Sequence, residues 1–173
     1  MSFWLGIIDY MIIRKIQPAD IEVYHQLVNE IIGNTPYYST LAKSEELIEY
    51  SQEWISKRLN DGTNVYFVCI EDAKMVGFCH GYFDMGTFWI NWIGTKKDIR
   101  YKGIASKILK EVEEYSIALG VHKIWLDTKM DNKESINFFL KHGYKIFASV
   151  KDHWYHADFY FWEKMINNSK GQL

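Results

Sequence analysis

The sequence has few cysteines, no excess of positive charge and no long apolar segment, and each shortage removes a class of function. Cys69 and Cys79 are the only two cysteines, and both lie inside apolar runs, where a buried thiol is commoner than a metal ligand or a nucleophile. Lys and Arg number 20 against 22 Asp and Glu, which gives a net charge of -2. The sequence therefore offers no positive field to gather a phosphate backbone, and we expect no nucleic-acid partner.

The first ten residues, MSFWLGIIDY, are apolar but do not have the features of a targeting signal. They lack the basic start, the long apolar core and the small-residue cleavage site of a secretory signal peptide. The run is also too short to span a bilayer, which takes about 20 apolar residues. We therefore expect a cytoplasmic protein without a membrane partner. Residues 1–10 are then either an extra edge strand or a stretch ahead of a true start at Met11.

The length of 173 residues and the hydrophobic content of 48% fit one domain that can bury its own core. The chain contains no internal repeat, low-complexity tract or linker-like stretch. The predicted organisation is an N-terminal extension over 1–10, one folded domain over 11–166 and a polar tail over 167–173. The oligomeric state is left open, and a homodimer is compatible with the sequence.

Hydrophobic periodicity predicts a mixed order of strands and helices. In chain order the predicted elements are a strand over 11–16, helices over 21–32 and 44–59, strands over 65–70, 75–83 and 88–95, a helix over 103–119, a strand over 123–128, a helix over 132–143, and strands over 144–150 and 159–165. This order predicts an α+β domain in which a mostly antiparallel sheet of six to seven strands is flanked by four helices.

The segment from Ile93 to Ser106 has the character of a phosphate-binding turn, because a strand passes through a basic loop into the start of a helix. The first N–H groups of a helix have no partner within the helix, and its dipole adds about half a positive charge at that end. Gly103 and Ala105 are small enough to let a pyrophosphate approach the main chain. Four basic residues are expected at the rim, namely Lys96, Lys97, Arg100 and Lys102.

The pattern Arg100-x-x-Gly103-x-Ala105 resembles the acetyl-CoA signature of the GNAT superfamily of N-acyltransferases. A second block, Asn132 to Tyr144, resembles that superfamily's Asn-containing helix that ends at Gly and an aromatic residue. The order of elements from Met11 to Ile166 is similar as well. The resemblance implies an N-acetyltransferase that passes the acetyl group of acetyl-CoA directly to a primary amine in a ternary complex, without a metal.

The resemblance also implies roles for individual residues. The main chain of Ile93, Gly94 and Thr95 would bond the pantetheine arm of the coenzyme in the manner of an added strand. Asn132 would touch the pantetheine from the other side, or would only cap a helix, which its residue type also explains. The pyrophosphate would be held by Arg100, Tyr101, Lys102, Gly103, Ile104, Ala105 and Ser106.

The resemblance indicates the catalytic residues less directly than the coenzyme-binding residues. The run from Trp125 to Asn132 most resembles the ribosomal-protein alanine acetyltransferases, which have a Glu where this chain has Asp127, so Asp127 is the candidate general base. A strand-end aspartate is alternatively a structural hydrogen-bond acceptor. The superfamily's usual tyrosine acid falls at Phe139, which cannot donate a proton, and Tyr144 or Tyr155 would have to replace it. This departure motivates an alternative, a non-catalytic acyl-CoA-binding sensor or assembly module.

The acceptor amine is left open between a protein N-terminus and a small amine. The aromatic stretch His153 to Asp158 is similar to the acceptor cleft of enzymes that act on protein N-termini. A cationic small amine would instead be favoured by acidic side chains in reach of the site, for which the candidates are Glu45, Glu46, Glu49 and Asp84. His80 is expected to be a hydrogen-bonded sheet residue and not a base.

Overall fold

The computed structural model describes residues 11–100 and 102–166, which form one central sheet with helices on both faces. Predictions for residues 1–10, Tyr101 and residues 167–173 lie outside this part of the chain. The elements are β1 Met11–Lys15, α1 Ile21–Gly33, α2 Thr40–Glu49, α3 Gln52–Leu59, β2 Asn64–Glu71, β3 Lys74–Asp84, β4 Thr87–Thr95, α4 Ile104–Ala118, β5 Lys123–Lys129, α5 Lys133–Lys141, β6 Lys145–Val150 and β7 Phe159–Met165.

The seven described strands follow the order β1-β2-β3-β4-β5-β7-β6, and all neighbours are antiparallel except β4 and β5. The parallel pairing runs only from Thr87 with Lys123 to Ile90 with Leu126. Beyond Ile90 the two strands are no longer paired, and a gap opens in the middle of the sheet. The predicted α+β architecture, with its mostly antiparallel sheet, is confirmed.

Strand β4 contains a bulge at the point where it leaves β5. His80 of β3 pairs with Trp92, whereas the next residue, Gly81, pairs with Ile90, so Asn91 is an extra residue on β4. An extra residue in one strand disturbs the ladder and bends the strand locally. The bend lies where the gap between β4 and β5 begins, and it sets the direction of the residues that line the gap.

Alternate residues of β2 enter two separate cores, because successive side chains of a strand point to opposite faces. Val65, Phe67 and Cys69 pack on the side of α4 and α5. Tyr66 and Val68 pack on the side of α1 and α3. The cysteines are free buried thiols, as predicted.

The described residues form five α-helices, not the four that were predicted, because the expected helix over 44–59 begins earlier and is interrupted. Ser39 caps α2 by accepting a hydrogen bond from the Ala42 N–H at 3.2 Å, and Ser51 caps α3 by accepting one from the Trp54 N–H at 3.4 Å. A serine at an N-cap satisfies a helix-start N–H that would otherwise be unpaired. The break leaves Tyr50 fully buried between the two helices.

No helix over 11–100 or 102–166 is both long enough and apolar enough to cross a membrane.

Candidate active site

A cavity of about 570 Å³ occupies the gap in the sheet, between the free half of β4, the start of α4 and α5. The loop that follows α1 closes one side of it through Thr35, Pro36 and Tyr37. The cavity is lined by nine of the residues expected to bind the coenzyme, namely Ile93, Gly94, Thr95, Arg100, Gly103, Ile104, Ala105, Ser106 and Asn132.

The free edge of β4 presents main-chain hydrogen-bonding groups to this cavity. The Lys96 N–H donates to the Val76 carbonyl of β3 at 2.9 Å. Because successive residues of a strand direct their main-chain groups to opposite sides, the N–H and C=O of Ile93 and Thr95 face the side that β5 has left. Gly94 lies between them, and a Cβ there would come within 2.8 Å of Ile31 Cγ2. A glycine at this position lets α1 pack closely against β4.

The start of α4 supplies a second set of main-chain donors. Gly103 has a φ of 79°, in the left-handed region that favours glycine, and its carbonyl accepts from the Lys107 N–H at 3.1 Å. The N–H groups of Ile104, Ala105 and Ser106 precede this first helical bond, so the helix itself offers them no acceptor. A Cβ on Gly103 would meet no atom within 4 Å. The helix start is therefore open to a ligand and carries a partial positive charge.

Three of the four basic residues predicted at the rim are paired with acids, and Lys97 does not line the cavity. Arg100 contacts Glu134 at 3.3 Å, and Lys96 contacts Glu30 at 2.7 Å. Lys102 lies 3.9 Å from Glu71 and is not among the residues that line the cavity. The main chain, more than free basic side chains, is what the site offers to an anion.

Asn132 is a helix cap that also lines the cavity, and its contact with the pantetheine stays a prediction. Its Oδ1 accepts from the Ser135 N–H at 3.1 Å and so caps α5, and the residue also lines the cavity.

A second cavity of about 260 Å³ adjoins the first. Trp92 lines both, and the consecutive residues Tyr37 and Tyr38 line the larger and the smaller cavity respectively. The smaller cavity is lined by Tyr38, Glu46, Tyr82, Trp89, Asn91, Trp92, Asp127, Trp154, Tyr155 and Phe159. We call these two spaces the coenzyme-side cavity and the acceptor-side cavity.

Asp127 lies on β5 just past the last residue that pairs with β4 and faces the acceptor-side cavity. It is half-buried. Loss of solvent around the carboxyl, with a contribution from the negative charge of Glu46, raises the pKa of Asp127 to about 7. A carboxyl with this pKa exchanges its proton readily near neutral pH.

Glu46 reaches the same cavity from α2. Its Oε2 accepts a hydrogen bond from Trp92 Nε1 at 3.0 Å, which fixes the carboxylate at the wall. Burial raises the pKa of Glu46 as well. Of the other acids considered from the sequence, Glu45 accepts a hydrogen bond from Tyr155 and Glu49 pairs with Arg58.

A hydrogen-bond network that includes the buried His80 and Tyr50 holds Asn91, an exposed residue that lines the acceptor-side cavity. Asn64 Oδ1 can only accept, so His80 carries its proton on Nε2 and donates across 2.8 Å. Nδ1 of His80 then accepts from the Tyr50 hydroxyl at 2.8 Å, and that hydroxyl accepts from Asn91 Nδ2 at 3.1 Å. Burial lowers the pKa of His80 to about 3. His80 is thus a neutral, hydrogen-bonded sheet residue, as predicted.

The two tyrosines considered as acids are placed differently. Tyr155 lines the acceptor-side cavity, and its hydroxyl donates to Glu45 at 2.6 Å, a bond that raises its pKa to about 12. Tyr155 also has a φ of 56°, which is rare for a residue with a bulky side chain. Tyr144 is buried in the core, donates to Glu113 at 3.1 Å and lines neither cavity.

Phe139, at the position of the expected tyrosine, is buried and lines the coenzyme-side cavity. Within the described part of the chain, no three His, Cys, Asp or Glu side chains are placed to hold a metal ion.

Sequence reasoning missed most of the walls of the acceptor-side cavity. Trp89, Asn91 and Trp92 were not expected to be site residues, nor were Tyr38 and Phe159. The only signal was the aromatic content of 17%, which indicates that some rings line a cleft. It could not say which ones, because the contributing residues lie on five separate segments of the chain.

Comparison with known proteins agrees with this geometry. A sequence model of the acetyltransferase (GNAT) family matches residues 26–144, more than half of the chain. An uncharacterized N-acetyltransferase of Methanocaldococcus jannaschii is 26% identical over 136 residues, which cover 78% of each protein. An acetyltransferase of Pectobacterium atrosepticum is 29% identical over 91 residues, which cover 53% of this chain and 64% of the relative.

Two solved structures show the same fold. The PaiA N-acetyltransferase of Thermoplasma acidophilum, in complex with coenzyme A, has a TM-score of 0.78 and 19% identity, over 91% of this chain and 99% of that one. The ribosomal-protein-alanine N-acetyltransferase of Brucella melitensis has a TM-score of 0.72 and 18% identity, over 90% and 99%. At these identities the likeness concerns the fold alone.

Proposed function

This chain belongs to the acetyltransferase (GNAT) family, and from that premise we propose that acetyl-CoA binds the coenzyme-side cavity and acetylates a primary amine in the acceptor-side cavity. As a family member the protein is an acetyl-CoA-dependent acyltransferase. The single observation that carries the proposal is that the two cavities meet at Trp92, where β4 leaves β5. A thioester in one cavity and an amine in the other would reach each other there.

The residues of the coenzyme-side cavity fit the chemistry of the coenzyme. Pantetheine is a chain of amides, and the open main-chain groups of Ile93 and Thr95 can bond such a chain as a neighbouring strand would. A pyrophosphate needs convergent N–H donors, which the start of α4 supplies at Ile104, Ala105 and Ser106. The left-handed Gly103 keeps that approach clear.

We assign Asp127 as the group that accepts the proton of the amine. A protonated alkylamine has a pKa near 10.4 and is almost wholly charged at neutral pH, so it cannot attack a carbonyl without losing a proton. The ionised Asp127 carboxylate takes that proton, directly or through one water. The amine nitrogen then forms a bond to the acetyl carbon, the carbon–sulfur bond breaks, and the second proton of the nitrogen passes to the departing thiolate or to water. Since the pKa of Asp127 is about 7, the carboxylate form is present at and above neutral pH.

The leaving group needs little help from a catalytic acid, because a thiol has a pKa near 8.5 and leaves readily as the thiolate anion. Phe139 at the expected tyrosine position is therefore compatible with turnover. Tyr155 is the remaining candidate donor, since the residue lines the acceptor-side cavity and the raised pKa keeps its hydroxyl protonated. Tyr144 has no part in this proposal, because its hydroxyl is committed to Glu113 inside the core.

The test is turnover with the purified full-length protein. Acetyl-CoA is mixed with amines or with peptides that have free N-termini, thiol release is followed with time, and the products are checked by mass spectrometry for one added acetyl group. We expect amine-dependent thiol release with a stoichiometric acetylated product. Tight coenzyme binding without release on any acceptor would favour the non-catalytic sensor instead.

A further inference from the structure

The acceptor-side cavity contains one carboxylate more than proton transfer requires. Asp127 alone can accept the proton of the amine. Glu46 comes from a different element, and its charge is felt at Asp127, where it contributes to the raised pKa. Two ionised carboxylates in a partly desolvated cavity repel each other, which raises the free energy of the folded protein unless a cation lies between them.

No side chain among the described residues supplies such a cation. Across residues 11–100 and 102–166, neither Glu46 nor Asp127 forms an ion pair with a lysine or arginine. Lys129 is the basic residue nearest in sequence to Asp127 on β5, but its ammonium group is bonded to the Tyr37 carbonyl and lies 5.6 Å from the centre of the Tyr38 ring. When both carboxylates are ionised, a cationic ligand can supply the counter-charge that the described side chains do not.

The other walls are also suited to an organic cation. Seven of the ten lining residues are aromatic, and none is basic. An ammonium group is attracted to the face of Trp and Tyr rings, and alkyl groups pack well on the same rings. The volume of about 260 Å³ lies just under the range of roughly 300–1,000 Å³ that is usual for drug-sized ligands, so the occupant is small.

We propose that the acceptor is a small aliphatic diamine or polyamine, with its reacting amine at Asp127 and a second ammonium group held by Glu46. This inference rests on the function proposed above and names its substrate class. The anchoring of Glu46 by Trp92 Nε1 supports it, because a fixed carboxylate loses little freedom when it binds a cation. Glu46 is then a specificity-determining residue, which selects amines that carry a second charge.

The experiment compares α,ω-diamines of three to five carbons with monoamines of equal carbon number and with a peptide whose N-terminal residues are uncharged. We expect kcat/KM for the preferred diamine to exceed that of its matched monoamine by about 10- to 100-fold, the usual effect of one charge-assisted hydrogen bond. Glu46→Gln should bring the ratio of the diamine value to the monoamine value down to near one, because any change that it causes at Asp127 acts on both substrates alike. The amide oxygen can still accept from Trp92, so the wall is preserved.

Glu53→Gln is the matched control, since it removes an equal charge from an exposed position on α3 and should change neither substrate. The inference is overturned if Glu46→Gln affects diamine and monoamine equally, or if the uncharged peptide is a better substrate than every diamine. Either result leaves the acetyltransferase proposal standing, because an amine is still acetylated. Absence of turnover with all acceptors would overturn both.

Discussion

The coenzyme-side cavity takes its polar groups from the main chain, whereas the acceptor-side cavity takes them from side chains. The first is formed by one edge of β4 and one helix start, with Gly94 and Gly103 keeping side chains out of the way. The second is formed by acids, aromatic rings and an amide from separate elements. A main-chain site suits a ligand that does not vary. A side-chain site can be changed one residue at a time, so substrate choice is expected to reside there.

The largest expected effect comes from Asp127→Asn in the acceptor-side cavity. Loss of a general base costs about 10²- to 10⁴-fold in rate, so kcat should fall by that amount while the Kd for coenzyme A is unchanged. Steady-state kinetics and calorimetry test the two halves of this prediction. Asp131→Asn is the control, because that carboxyl is exposed and lies four residues further along the chain.

The pH dependence of the same variant sharpens the assignment. Below a pKa of about 7 the Asp127 carboxyl already holds a proton, and above it the carboxylate can accept one. An alkylammonium with a pKa near 10.4 keeps its proton over the same range until the carboxylate takes it. A plot of log kcat/KM against pH should therefore have a slope of about one below pH 7 and be level above pH 7. A wild-type profile without this break, or a break that persists in Asp127→Asn, would exclude Asp127 as the base.

The second-largest effect is expected from a substitution at the helix start that faces the coenzyme-side cavity. Gly103→Glu places a negative charge where the pyrophosphate is proposed to bind, and we expect the Kd for coenzyme A to rise by roughly 100-fold. Gly120→Glu is a close match, because both glycines have a φ near 80° and a Cβ at either meets no atom within 4 Å. Gly120 lies beyond the opposite end of α4, so its variant should bind coenzyme A normally. Equal affinity in the two variants would show that the anion binds elsewhere.

The smallest effect is expected from breaking the hydrogen-bond network that holds Asn91. Tyr50→Phe removes the hydroxyl that links Asn91 to His80 and leaves buried polar groups unpaired, which should cost about 1–3 kcal/mol of unfolding free energy. We also expect a higher KM for the amine with unchanged coenzyme affinity. Tyr24→Phe is the control, since the Tyr24 hydroxyl is buried and has no hydrogen-bond partner in the described chain. If urea unfolding gave the same loss of unfolding free energy for both variants, the Tyr50 hydroxyl would not be the link that stabilises the network.

The two cavities also differ in how far the sequence could predict them. The coenzyme-side residues Gly103, Ile104, Ala105 and Ser106 are consecutive, so local periodicity and a short motif were enough to locate them. Lys102 was the exception among the described residues, since its side chain is directed to Glu71. In the acceptor-side cavity the sequence indicated Asp127 and Tyr155 and offered Glu46 as one of four acids. It could not choose among those acids, because spacing along a helix does not reveal which residue faces a neighbouring strand.

By itself, the sequence determined the α+β class, the order of nearly all elements and the helix start that faces the coenzyme-side cavity. These follow from hydrophobic period, turn residues and caps, which act over a few residues. The tertiary structure decided that the expected second helix is two helices, that Tyr144 lies in the core, and that Glu46, Trp92 and Asp127 face one space. The last two outcomes depend on long-range contacts: Tyr144 bonds Glu113, 31 positions away, and the shared space joins residues as far apart as Glu46 and Asp127, which no local pattern in one sequence encodes.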